Sequence, residues 1–194
     1  MNTPNKLTIL RIVLAFVFMS FVFGHGLIYK IIALLTFTFA SLTDLYDGKL
    51  ARDMHQESDF GKLMDPIADK ILVLAAFLVF VELRIIPAWM VILIISRELL
   101  ITGIRIFALS KKMVLASSKG GKHKTASQMI AIFVILGFLV FKEVAKNLSF
   151  WNARIESISA AAILILMGLA TILTLTSGIG FLWSNRSLLI ERER

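Results

Sequence analysis

The chain contains no cysteine, so disulfides and thiolate metal sites are excluded, and cysteine usage carries no information on redox compartment. No internal repeat and no low-complexity tract interrupts it. The first apolar stretch, which starts near Leu7, lacks a small-residue cleavage pattern and is expected to be a retained helix rather than a cleaved signal. Charge of one sign is also short: 13 Asp and Glu stand against 21 Lys and Arg, a formal net charge of +8. In a soluble protein such a balance raises nucleic acid as a partner. Here the basic residues sit mostly between apolar stretches, which points instead to an anionic lipid surface and phosphate-bearing ligands, with no nucleic acid.

What the chain has in excess is apolar sequence. Some 58% of its 194 residues are hydrophobic, more than a soluble domain of this length carries. Runs long enough to cross a bilayer recur along the whole length. The expectation is an all-α polytopic membrane protein with six transmembrane helices, built as one domain over 1–194 with a polar tail at 184–194. The spans are expected at about Leu7–Phe23, Leu27–Asp53, Met64–Leu83, Ile85–Leu109, Thr125–Phe141 (extending as a more polar helix to Lys146) and Ile155–Trp183. Each must be helical, because an isolated strand cannot satisfy its backbone in lipid. Ser117-Ser118-Lys119-Gly120-Gly121 reads as a loop.

Basic residues set the orientation. With six spans, Lys30, Arg84, Lys142, Lys146 and Arg154 fall on one side and Arg97 within the fourth span, leaving 15 of the 21 Lys and Arg on the side that holds both termini. Cytoplasmic loops are the basic ones, so both termini are expected inside.

The chemistry concentrates where the second span ends and the third begins. Asp44 and Asp47 are spaced i,i+3, and Asp65 and Asp69 i,i+4, so each pair lies on one helical face. The polar stretch Asp53 to Asp59 reads as the turn between the spans, which lets the two faces meet at one depth near the cytoplasmic edge. Carboxylates in a span are costly and usually functional. Four at one depth repel unless neutralised, and hard divalent cations with oxygen ligands are the natural partner. Two ions bridging a pyrophosphate would suit in-line displacement at phosphorus. Gly48, Ala51 and Gly61 leave room for a ligand to approach the backbone. Solvated charges at a helix boundary are the plain alternative for any one of these aspartates, and the full spacing argues against it.

The arrangement Asp44-x2-Asp47-Gly48-x2-Ala51-Arg52-x8-Gly61-x3-Asp65-x3-Asp69 resembles the signature of the CDP-alcohol phosphotransferases at every fixed position. That resemblance implies that Asp44, Asp47 and Asp65 are metal ligands. It implies that Asp69 is the general base, itself able to touch a metal, and that Asp47, Gly48, Ala51, Arg52 and Gly61 surround the CDP moiety of CDP-diacylglycerol. It further implies a six-helix fold, a homodimer and two ions of Mg²⁺ or Mn²⁺.

Outside the signature, Pro4-Asn5-x-Leu7-Thr8-x2-Arg11, Ser96-Arg97-Glu98 with Arg105, and Gly121-Lys122-x-Lys124-Thr125-x2-Gln128-Met129 are similar to bacterial phosphatidylglycerophosphate synthases. This implies sn-glycerol 3-phosphate as acceptor and the bacterial inner membrane as location. The residues make separate sense of it. A dianionic acceptor needs cations, and Arg105, Lys122, Lys124 and Arg11 are the candidates, the two lysines opening the fifth span, where a helix N-terminus also favours anions. The plain alternative for each is an ordinary inside-facing or snorkelling basic residue, to which Lys111, Lys112 and Lys119 are assigned. Arg97 beside Glu98 suits a structural ion pair as well as a substrate contact. Serine, inositol phosphate and phosphatidylglycerol stay open as acceptors, and a cation transporter is the rival from another class. Trp89, Trp151 and Trp183 near span ends read as interfacial anchors. His25 and His55 read as solvated turn residues, while His123, between the two lysines, is a weaker candidate for a phosphate contact. Gly178 and Gly180 read as sites of close helix packing.

Overall fold

The computed structural model describes residues 3–54, 59–111, 121–148 and 150–186, with side chains for 9–43, 70–108, 110–111, 123–148 and 150–186. Among the described residues all regular structure is helical: α1 (Thr3–Phe23), α2 (Leu27–Met54), α3 (Asp59–Glu82), α4 (Ala88–Ser110), α5 (Gly121–Asn147) and α6 (Ala153–Ser184). The expected loop at 117–120, His55 and the chain after 186 lie outside the described residues.

Several helix ends are written in local chemistry. Between α1 and α2 the chain reverses through Gly24 and Gly26. A Cβ on Gly24 would fall 2.3 Å from the Tyr29 ring, and Gly26 has φ +95, so both positions need glycine. Lys30 donates to the carbonyls of Val22 and Gly24, satisfying the end of α1. After α3, Arg84 adopts φ 57. Its N–H bonds to the Val81 carbonyl at 2.9 Å and the N–H of Ile85 bonds to that of Phe80 at 2.9 Å, a Schellman closure. Pro87 follows, so α4 starts at Ala88 and not at Ile85 as expected: residues 85 and 86 complete the closure of α3. Asn152, in extended backbone, caps α6 by accepting from the Ile155 N–H at 2.9 Å.

Helices α3 and α5, by contrast, start earlier than expected, at Asp59 and Gly121. Their first turns are polar, and an apolar-run criterion stops where hydropathy stops, although the backbone continues to propagate hydrogen bonds. Hydroxyls inside the helices bond back to their own chain, as Ser41 to the Phe37 carbonyl and Thr171 to that of Met167, both at 2.8 Å.

The contacts give the direction of packing. Helix α1 lies against α2 and α3, α5 against α6 and α2, and α4 against α6 and α3. Phe18 meets Phe37 and Lys30 reaches Val22, so α1 and α2 run oppositely. Gln128 meets Thr174 while Lys142 meets Glu156, so α5 and α6 do too. Arg97 meets Ser177 and Arg105 meets Phe181, so α4 and α6 share a direction. The bundle therefore alternates, and one end collects the start of α1, α3 and α5 with the finish of α2, α4 and α6. Phe18, Phe37, Phe77, Phe80, Ile94, Ile132, Ile135 and Met167 fill the middle, all fully buried.

The outside is apolar as well. Phe16, Leu35, Ile92, Ile130, Ile165 and Ile179, from five helices, are exposed. A water-facing surface does not carry apolar area on that scale without a partner. Two segments, His123–Asn147 and Ala153–Ser184, are long and apolar enough to cross a membrane, and Ile9–Phe23 and Leu27–Thr43 are shorter apolar stretches. Trp89 and Trp183 are exposed, whereas Trp151 packs on Phe138 and Phe141 with Lys142 over its ring.

Candidate active site

Helix α2 runs unbroken through positions 44 and 47, and α3 through 65 and 69. Helical spacing therefore holds at all four aspartates, each pair on one face of its helix. The side chains of Asp44, Asp47, Gly48, Ala51, Arg52, Gly61, Asp65, Asp69 and Lys122 lie outside the described residues. Backbone register says what stands beside them. Phe37 of α2 packs on Phe18 of α1 and on Phe133 of α5, each pair 5.4 Å apart. Two turns further along α2 is Asp44. Two turns back along the oppositely running helices are Arg11 in α1 and the first turns of α5. Arg11, which is buried, and the Lys122–Lys124 segment thus share a level with the first aspartate pair.

The described part of this end is a polar seam across α3, α4, α5 and α6. Glu98, in the middle of α4, accepts from Lys124 Nζ of α5 and from Arg97 Nη1 at 3.3 Å. Its side chain is only 9% exposed and that of Lys124 13%, so the pair lies inside the bundle. Arg97 Nη2 donates to Ser177 Oγ of α6 at 3.2 Å. Gly178 next to it leaves the space that the arginine stem fills: a Cβ there would come within 2.9 Å of Arg97 Cγ and Nε. Gly180, by contrast, faces open space and is not a packing site among the described residues. One turn on, Gln128 of α5 donates to Thr174 of α6 at 3.0 Å. Lys70 of α3, the residue after Asp69, donates to Thr102 of α4. Arg105 is exposed, with its guanidinium 5.2 Å from the centre of the Phe181 ring, and His123 is exposed at the start of α5.

The electrostatics follow from counting signs. Buried ions are tolerated when paired, and here one carboxylate serves two cations, with Lys70 and Arg105 on the neighbouring turns. Among the described side chains of the seam, positive charge is in excess. Arginine and lysine side chains brought together in this way suit phosphate recognition.

The family model for CDP-alcohol phosphatidyltransferase matches residues 1–179. The chain belongs to that family. A Bacillus subtilis protein named CDP-diacylglycerol–glycerol-3-phosphate 3-phosphatidyltransferase is 40% identical over 147 residues, 70% of this chain and 76% of that protein. Proteins of the same name from Cereibacter sphaeroides and Rickettsia felis are 35% and 34% identical, over 82% and 81% of this chain and 75% and 90% of their own. CDP-alcohol phosphatidyltransferases generally depend on a divalent metal. The donor set fits one: the signature offers only carboxylate oxygen, with no cysteine in the chain, which suits a hard cation over a soft one.

Arg105, Lys124 and Arg11 fall at the expected end of the bundle, and Lys124 is engaged by Glu98. Sequence reasoning paired Glu98 with Arg97 alone and did not anticipate Lys124, Ser177 or the Lys70–Thr102 bond. Those contacts join residues 26 to 80 positions apart, and no spacing rule reaches that far.

Proposed function

We propose that this protein transfers the phosphatidyl group of CDP-diacylglycerol to sn-glycerol 3-phosphate, releasing CMP and phosphatidylglycerophosphate. The observation that carries the reading is the unbroken aspartate signature on two helices beside a cationic seam, in a chain whose relatives bear the name of that reaction. Asp44, Asp47, Asp65 and Asp69 would hold two ions of Mg²⁺ or Mn²⁺, which supply charge neutralisation at the diphosphate. Gly48, Ala51, Arg52 and Gly61, with Asp47, line the CDP end. Asp69 takes the proton of the glycerol 1-hydroxyl, whose oxygen bonds to the lipid-side (β) phosphorus as the bond from that phosphorus to the CMP oxygen breaks. Arg105, Lys122, Lys124 and Arg11 hold the acceptor phosphate.

In this reading the chain is a single domain of six membrane spans in the bacterial inner membrane, with both termini and the site cytoplasmic, and acts as a homodimer. CDP-diacylglycerol enters sideways from the inner leaflet with its acyl chains left in lipid. The apolar outer faces of the helices support the membrane placement. Purified protein incubated with CDP-diacylglycerol, glycerol 3-phosphate and Mg²⁺ is expected to release CMP, and chelation to stop it. No CMP under these conditions would end the reading.

A further inference from the structure

The buried ion cluster of α4, α5 and α6 has more structure than acceptor binding by separate cations requires. Arg97 and Lys124 come from different helices, and like charges brought together in a low-dielectric interior repel strongly. Glu98 removes that repulsion by accepting from both. Arg97 is fixed from its other side by Ser177 and by the clearance over Gly178. Its Nε is buried against Gly178, so the donors it can turn to a ligand are those of Nη1 and Nη2. Lys124 keeps further N–H donors beyond the one given to Glu98.

We propose that Glu98 is a positioning residue for the acceptor phosphate: it holds Arg97 and Lys124 side by side against the Ser177–Gly178 notch of α6, so that a dianion meets cations already in place. This rests on the reading given under Proposed function. Glu98 touches neither substrate and acts through the two cations. The advantage is preorganisation. A free lysine chain would have to be ordered on binding, at a cost of rotamer freedom that Glu98 has already met in the unliganded protein. One carboxylate against two cations also leaves the cluster net positive, so it orders the site without neutralising it.

The test is steady-state kinetics on purified full-length protein with both substrates varied. Glu98→Gln keeps the shape and removes the charge. The KM for glycerol 3-phosphate is expected to rise about tenfold, the scale of a charge-assisted hydrogen bond, while the KM for CDP-diacylglycerol stays put. Inhibition by inorganic phosphate should weaken in parallel. Glu98→Asp should recover part of the loss. Ser177→Ala and Gly178→Ala, which disturb only the seat of Arg97, should each raise the acceptor KM by a smaller factor, and they carry the test if Glu98→Gln does not fold. An unchanged acceptor KM in these variants, or a rise in both KM values together, overturns the inference. A wild-type protein that releases no CMP overturns the reading beneath it instead.

Discussion

Asp69 is the residue on which the proposed chemistry turns most directly. It is the last aspartate of the signature and precedes Lys70, whose ammonium bonds to Thr102 of the next helix. A base at that point needs a carboxylate that can take a proton, whereas a metal needs only an oxygen donor. Asp69→Asn separates the two. Turnover should fall by about 10²–10⁴, the range for a lost general base, while Mg²⁺ or Mn²⁺ binding by the other three carboxylates persists in calorimetry. Full activity in the variant would move the base elsewhere. The signature itself was legible because its spacing is local: i,i+3 and i,i+4 within one helix, where sequence distance is spatial distance. Glu98 was half legible. Its neighbour Arg97 stood beside it in sequence, but the partner that ties it to α5 is 26 residues away, and only packing brings it close.

At the level of elements, hydropathy found all six helices, and the polar starts of α3 and α5 escaped it. The missed start of α3 carries Gly61 of the signature and that of α5 the candidate lysines, so the candidate-site ends of these helices are ends that apolar runs mark poorly. The closure of α3 was hidden for another reason. Arg84 at φ 57 takes the left-handed position that glycine usually fills, so no glycine announces the turn. A side chain there costs about 1–2 kcal/mol. Arg84→Gly should therefore raise the thermal midpoint of the detergent-solubilised protein by a few degrees, about 1 kcal/mol at most, offset in part by the freer unfolded chain. Because Arg84 sits at the far end of the bundle from the aspartates, CMP release should be unchanged. A lowered midpoint would mean that the arginine makes a stabilising contact that the Schellman geometry does not account for.

For the molecule as a whole, the alternating helices and the uneven distribution of basic residues make one topological claim. His25 lies in the turn between α1 and α2, and Ser110 closes α4; both are exposed. Three helices, α2, α3 and α4, separate them, so if each crosses the bilayer the two positions lie on opposite faces. Positive charge assigns the Ser110 side to the cytoplasm. The absence of cysteine makes the claim directly testable, since a single introduced thiol is the only one present. In right-side-out membrane vesicles an impermeant maleimide should label His25→Cys and leave Ser110→Cys untouched until detergent opens the bilayer. Labelling of both from outside would place α2 to α4 as a re-entrant or surface element, and the aspartates of α2 and α3 would then lose their access to a substrate held in the inner leaflet. Labelling of Ser110→Cys alone would invert the protein and contradict the orientation assigned by positive charge. The first pattern keeps the apolar flanks in contact with the lipid donor and puts the charged end of the bundle on the face that positive charge assigns to the cytoplasm.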